Sequence, residues 1–187
     1  MGVPSTDDFN SGDNEGAGYF EVNQNGGRRW SAARAFLKPA LKRRNLRVLT
    51  HAHVQKITFE DGRAKAVTIA HKGAVLHAEA KAEIILAAGA IHSPALLEAS
   101  GIGQGERLKN TGIDVHRDMP DVGENLQDHL QQRAIFRVSA TRTLNETYHS
   151  LFGRMGMGLD YAVRRRGALT MAPSQLGIFA RSDAGQD

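Results

Sequence analysis

Residues 84–103, Ile84-Ile-Leu-Ala-Ala-Gly-Ala-Ile-His-Ser-Pro-Ala-Leu-Leu-Glu-Ala-Ser-Gly-Ile-Gly103, constrain this chain more than any other stretch. Residues 84–88 are apolar without period-two alternation, so a strand here wants cover on both faces, as in a parallel sheet. Gly89 comes next; lacking a Cβ, it permits a positive φ or the close approach of another backbone or a ligand. Ser93 is a capping residue type, and Pro94 suits a first helical position, where a missing N–H costs nothing. The spacing predicts a short helix opening at Ser93-Pro94, with Leu96 and Leu97 facing inward and Gly101 and Gly103 ending it. Strand, tight turn and helix in that order is the place where α/β proteins bind ligands.

The surrounding sequence predicts a mixed α/β (α+β) architecture. Alternating segments at 54–59, 64–70 and 74–82 are separated by Asp61-Gly62 and Lys72-Gly73, both turn signals, and predict an antiparallel β-meander leading into the buried strand. Residues 1–18 read as loop, 19–23 as a short strand, 30–41 as a helix with Pro39 near its end, and 46–49 as strand-like. After Gly103, helix is expected at 106–111, an extended piece at 113–115 and a strand at 134–139. A long helix is expected at about 145–165, carrying Tyr148, Leu151, Phe152, Met155, Leu159 and Ala162 on one stripe. Gly153, Gly156 and Gly158 weaken that helix by about 1 kcal/mol each relative to alanine.

Composition narrows the function classes. The 187 residues are 41% hydrophobic and 24% charged, the balance of a soluble globular protein. Formal net charge is +4, with basic clusters at Lys42-Arg43-Arg44 and Arg164-Arg165-Arg166 that read as solvated helix ends. No aromatics interleave with them to stack bases, so no nucleic-acid partner is expected. The chain has no cysteine, which removes disulfides, thiolate metal sites and thiol nucleophiles together. The first residues lack a signal peptide's pattern, and no run approaches the roughly 20 apolar residues of a spanning helix. A soluble, cytoplasmic protein with no membrane-spanning segment is expected.

The segment Gly89-Ala-Ile-His-Ser-Pro-Ala-Leu-Leu-Glu-Ala-Ser-Gly-Ile-Gly103 resembles the second signature of the glucose–methanol–choline (GMC) flavoprotein oxidoreductases. Two further pieces fit in order: Asn25-Gly-Gly-Arg-Arg-Trp-Ser-Ala-Ala-Arg-Ala-Phe-Leu37 upstream and Val122-Gly-Glu-Asn-Leu-Gln-Asp-His129 downstream. Gly167-Ala-Leu-Thr170 and Gly177-Ile-Phe-Ala-Arg181 match the start of the family's substrate region more weakly. The resemblance is to the choline and alcohol dehydrogenase branch. It implies FAD as cofactor, a small-molecule alcohol as substrate, and hydride transfer from a CH–OH group to flavin N5. It also implies a partial, Rossmann-like FAD-binding domain over residues 1–130 and the beginning of a substrate-binding domain over 131–187.

The resemblance places Val54 where such flavoproteins hydrogen-bond the FAD adenine through the main chain. It places Ala88, Gly89 and Ala90 at the turn beside the flavin's diphosphate and ribitol, with Ser93 a cofactor neighbour or a helix cap. The 125–129 loop, Asn125-Leu-Gln-Asp128-His129, either rims the cofactor or satisfies its own backbone. Gly101-x-Gly103-x-Gly105 follows a helix instead of a strand, and so reads as a stop and loop, not as a phosphate cradle. His51-x-His53 has a spacing that can bind metal on one strand face, but no carboxylate or thiolate completes a set, so no metal site is expected. His92 sits beside the turn as a neighbour. The family's catalytic histidine region and its Gly-x-Gly-x-x-Gly unit have no match here. No catalytic residue is therefore assigned, and the chain reads as a central fragment, inactive by itself as an enzyme. The alternative is a non-catalytic binding or interaction module derived from a flavoprotein.

Leaving Ile84, Ile85 and Leu86 uncovered forfeits roughly 5–9 kcal/mol of burial, comparable with the whole stability of a domain. The isolated chain is accordingly expected to be poorly folded, aggregation-prone and free of flavin. A sharp thermal transition from a monodisperse 187-residue protein would contradict this.

Overall fold

The computed structural model describes residues 2–172 and 174–181. In chain order its elements are β1 (Gly16–Tyr19), β2 (Gln24–Asn25), β3 (Arg28–Arg29), α1 (Lys38–Ala40), β4 (Ala52–Glu60), β5 (Arg63–His71), β6 (Ala74–Glu79) and α2 (Gly89–Ala99). These are followed by β7 (Ile102–Gly103), α3 (Gly105–Asn110), β8 (Arg117–Asp118), α4 (Leu144–His149), α5 (Leu151–Arg164) and β9 (Leu176–Phe179). They fall into two compact units, Val48–Ala134 and Met1–Arg47 with Ile135–Asp187. No helix among the described residues is long and apolar enough to cross a membrane.

In the Val48–Ala134 unit the predicted meander forms as an antiparallel sheet of order β4-β5-β6. Its two turns follow from local chemistry. Asp61 and Gly62 take φ of +50° and +76°, and Lys72 and Gly73 take +51° and +81°. Both central residues in the left-handed region is the turn whose twist matches a two-residue hairpin. The ladder carries two register shifts: Val54 faces Ile69 and Lys56 faces Thr68, leaving Gln55 unpaired, and Thr58 faces Ala66 while Phe59 faces Ala64, leaving Lys65 unpaired on β5. Ile57 and Ile69 point to the same face and are the sheet's buried apolar residues, 4% and 6% exposed.

The expected doubly covered strand does not form. Residues 83–88 run without a ladder partner among the described residues, and burial alternates along them, with Ile84 and Leu86 half-buried and Ile85 80% exposed. The physical reason is the lack of a parallel neighbour. The sheet of this unit is an antiparallel meander, and β4 faces residues 84–88 across an open cleft instead of pairing with them.

Helix α2 also differs from expectation, starting at Gly89 rather than at Ser93. Ser93 satisfies the helix entrance from within: its Oγ accepts the Ala88 N–H at 3.1 Å. Pro94 therefore lies inside the helix, where the ladder bond its nitrogen would have donated is missing.

The glycine-rich stop behaves as predicted. Gly101 has φ +88° directly after the last helical turn, and a Cβ there would run into the Asp114 carbonyl. The backbone then stitches back on itself, with His116 N–H donating to Gly101 C=O and Met119 N–H to Gly103 C=O, both at 2.8 Å. This pairs β7 with β8 in parallel, in place of the expected extension at 113–115. Leu108 of α3 is 2% exposed and anchors the corner. Arg107 bridges Glu98 and Glu124, each at 2.6 Å, and also donates to Val122 C=O at 3.3 Å, tying α2, α3 and the following loop. Its pKa is raised, mainly by the Glu124 hydrogen bond and then by that to Glu98.

One buried polar contact joins helix to sheet. Ser100, 3% exposed, accepts the Ile57 N–H at 2.8 Å and donates to Leu96 C=O at 2.6 Å.

In the other unit β1 pairs antiparallel with β9, and Phe9, Phe20 and Phe179 cluster at ring-centroid distances of 5.1–6.4 Å. The strand expected at 19–23 is displaced: β1 ends at Tyr19, and β2 and β3 form a hairpin. The predicted 30–41 helix is helical over 33–40. It begins with a wider winding in which Lys38 N–H reaches back to Ala33 C=O, just ahead of Pro39. The strands expected at 46–49 and 134–139 have no ladder partner among the described residues and stay exposed coil. The long helix expected at 145–165 is two helices. Thr143 and Glu146 close α4 with reciprocal bonds, and Ser150 interrupts the run, accepting the Gly153 N–H at 3.3 Å to cap α5. The predicted stripe is divided, Tyr148 falling on α4 and its other members on α5, and its large apolar residues are exposed, Phe152 to 83%.

Replacing Ser100 by alanine leaves the Ile57 amide buried without a partner and should cost about 1–3 kcal/mol. Urea denaturation and hydrogen exchange at Ile57 would register this; unchanged exchange would mean that the bond contributes nothing.

Candidate functional site

The cleft between β4, residues 84–88 and α2 is the candidate site, with a volume of about 660 Å³. Its floor is the apolar sheet face, Val54, Ile57 and Val67. One wall is residues 84–88, and the other is the α2 face bearing His92, Ala95, Leu96 and Ala99. Those four are spaced i, i+3, i+4, i+7, the geometry of one helical face. His53 and His92 are the titratable side chains in the lining, which holds no carboxylate.

The main chain of β4 is the polar feature of this cleft. Ile57 sends its N–H away from β5, toward Ser100, so the Ile57–Val67 pair exchanges no ladder bonds. Along an antiparallel ladder such pairs alternate with bonded ones. Counting two residues along β5, from Val67 to Ile69, gives another unbonded pair, whose partner is Val54. The Gln55 bulge absorbs the extra residue on β4 without changing that parity. Val54 thus presents its own N–H and C=O on the free edge, a donor and an acceptor in register.

Of the residues predicted from sequence, Val54 and Ala88 line this cleft together. Gly89 forms the turn between wall and helix with φ +84°, and a Cβ there would meet nothing within 4 Å. Its requirement is therefore conformational as far as this chain's own atoms go, and the space beside it is open. Ala90 lies instead on a second groove of about 500 Å³, with Pro94, Glu98 and residues 123–127. Ser93 engages the Ala88 amide. In the 125–129 loop, Gln127 Nε2 donates to Asn125 Oδ1 at 3.5 Å and Asp128 Oδ1 accepts the His129 N–H at 2.8 Å, so these groups serve the loop itself. The spacing reading of His51-x-His53 does not hold: His51 has φ +54° and precedes β4, so the two imidazoles do not share a strand face. No group of three or more potential metal ligands occurs among the described residues.

Sequence reasoning missed the α2 wall and Ser100. The wall's signal was available as helical spacing; the Ser100 contact is long-range and had none.

The model of the GMC oxidoreductase family matches residues 1–131. The chain belongs to that family. It is 38% identical over 185 residues to an alcohol dehydrogenase [acceptor] of Pseudomonas putida, covering 96% of this chain and 33% of that protein. It is 39% identical over 187 residues to the mitochondrial choline dehydrogenase of Homo sapiens, covering 98% and 31%. Among solved structures, formate oxidase matches with a TM-score of 0.82 at 27% identity, over 98% of this chain and 33% of that one. The GMC chain thus spans about a third of the length of these relatives.

Gly89 and Gly101 separate two reasons for a glycine. Both have positive φ, but only Gly101 is blocked by neighbouring backbone. Asparagine tolerates the left-handed region, so Gly89→Asn should shift the denaturation midpoint little, while Gly101→Asn should be strongly destabilising. Equal losses at the two positions would refute this distinction.

Proposed function

We propose that this chain is the central third of an FAD-dependent oxidoreductase acting on CH–OH groups, of the choline or alcohol dehydrogenase kind, and that its cleft holds part of the FAD. The observation that carries the reading is the ladder register, whose parity puts the N–H and C=O of Val54 on the free edge of β4, beside an apolar cleft. An adenine ring is flat and apolar on its faces and carries a donor and acceptors on its edge, so it suits such a main-chain pair. The residues present fit the cofactor at a second point. The turn at Gly89 leaves open space, and α2 begins there, its first N–H groups offering the partial positive charge that favours a diphosphate.

In this reading Val54 orients the adenine, Ala88 and Gly89 let the cofactor approach the main chain, and Ala90 contributes an N-terminal amide of α2. Ser93 holds the turn through the Ala88 amide. Residues 84–88 and α2 exclude water from one side of the cleft. When bound, FAD supplies the acceptor for hydride leaving the alcohol carbon. Removal of the hydroxyl proton belongs to a histidine region outside the motifs of this chain. Residues 1–130 are read as part of the FAD-binding domain and 131–187 as the start of the substrate-binding domain. The relatives' names support an alcohol substrate, choline or another.

Two measurements test the proposal. Genomic sequence around this chain should encode a Gly-x-Gly-x-x-Gly strand–helix unit upstream and a histidine-bearing region downstream; genuine start and stop signals with neither flank would sink the enzyme reading. In the longer protein so defined, Val54→Pro removes the edge N–H and should lower the ratio of bound flavin to protein in the visible spectrum. Full flavin occupancy in that variant would remove Val54 from the cofactor site.

A further inference from the structure

A second cleft lies wholly within the unit formed by the two ends of the chain, with a volume of about 870 Å³. Four guanidinium-bearing residues, Arg28, Arg29, Arg34 and Arg165, line it against a single carboxylate residue, Glu21. Arg28, Arg29 and Arg34 come from one short segment, and the fold brings Arg165 to them from the end of α5. The β2–β3 hairpin tip rests on the end of α5, where Gly27 sits against the Arg165 carbonyl. Gln24 Nε2 donates to Thr170 C=O at 2.6 Å, clamping the hairpin from its other strand. Arg165 itself ends α5 in the left-handed conformation, φ +54°, which turns it away from the helix line. The neighbouring Arg164 is instead paired with Asp160, at 3.7 Å.

Among the described residues none of the four lining arginines has a carboxylate within ion-pair distance. Two lie over aromatic rings, Arg165 over Tyr161 at 4.8 Å and Arg34 over Trp30 at 5.6 Å. Stacking orients a guanidinium plane while leaving its N–H edge available. Convergent like charges in one concavity raise its potential and attract counter-anions. Guanidinium forks match the oxygens of phosphate and carboxylate groups. The volume lies within the range of small-molecule sites, about 300–1,000 Å³, and Leu169 and Met171 add an apolar side to the lining.

We infer that this cleft is a binding site for a small organic polyanion, a phosphate ester or a polycarboxylate, lined by none of the residues of the proposed flavin cleft and independent of that reading. It accounts for the Arg165 cluster better than a solvated helix end does, because Arg165 lines the same cleft as the hairpin arginines.

Trp30 is the only tryptophan of the chain and stacks with Arg34, so its fluorescence reports on the site. The 187-residue chain, at a concentration where light scattering shows it monodisperse and circular dichroism shows it folded, or otherwise the longer protein that contains it, is titrated with inorganic pyrophosphate and, separately, with citrate, at ionic strength held constant with KCl. The expected result is a saturable change in Trp30 emission with at least one of them. The tighter ligand identifies the phosphate or the carboxylate class. Arg28→Gln, at the exposed hairpin, and Arg165→Gln should each weaken the apparent Kd about tenfold, the loss of one charge-assisted contact. Arg166→Gln, outside the lining, should leave it unchanged, and far-UV circular dichroism checks that each variant retains its fold. The inference is overturned by a response that KCl alone reproduces, by no saturable response, or by wild-type Kd in a folded Arg28→Gln or Arg165→Gln protein. Tighter binding of a single-stranded oligonucleotide than of either small anion also overturns it.

Discussion

A single hydroxyl fixes the geometry on which the candidate site depends. Ser100 lies at the end of α2 and bridges the Ile57 amide of β4 to the Leu96 carbonyl of its own helix. Without it, an outward-facing amide on an edge strand would be buried unpaired against an apolar helix, at a cost comparable with a large core mutation. With it, α2 is held against the sheet at a set height, and the cleft between them has a defined floor and wall. The bond also reveals the parity of the ladder, which the Asp61-Gly62 hairpin and the Gln55 bulge set and which decides the β4 residues that present their main chain to the open edge.

Elsewhere the packing is thin. The accessible surface is 16276 Å² for a 20.3 kDa chain. A single folded body of this mass exposes about 8,800 Å², and two bodies of half the mass about 10,600 Å². Only Ile57, Ile69 and Leu108 are buried apolar residues among those described. The exposed Ile85, Ile135, Phe136 and Phe152 are apolar side chains of types that ordinarily fill cores. This fits a GMC chain that spans about a third of its relatives' length.

How much was legible in the sequence depended on the range of the interaction concerned. The hairpins at Asp61-Gly62 and Lys72-Gly73 formed as predicted, because two residues and their own φ preferences decide such turns. The stop at Gly101 was equally local. The start of α2 was misjudged by four residues: Ser93 was expected to cap from outside the helix, but its hydroxyl reaches back to Ala88 from inside. The strands expected at 46–49, 84–87 and 134–139 failed for a shared reason. A strand needs a neighbour, and alternation or apolar content does not say whether one is present. At the candidate site, the Gly89 turn with its positive φ was readable and the helical face of α2 was available to be read. The Ser100 bridge and the Gln55 bulge were not.

The amino-acid sequence by itself determined the family, through the long match around Gly89–Gly103, and it determined the turns and the helical face, because these rest on residue type and short spacing. Tertiary structure decided which amides of β4 stay free, since that depends on strand register and on a contact 43 residues away in sequence. It also decided that Arg165 meets the arginines of the 28–34 segment in one cleft. Both outcomes come from pairings between remote parts of the chain, whose register and partners local propensity does not encode.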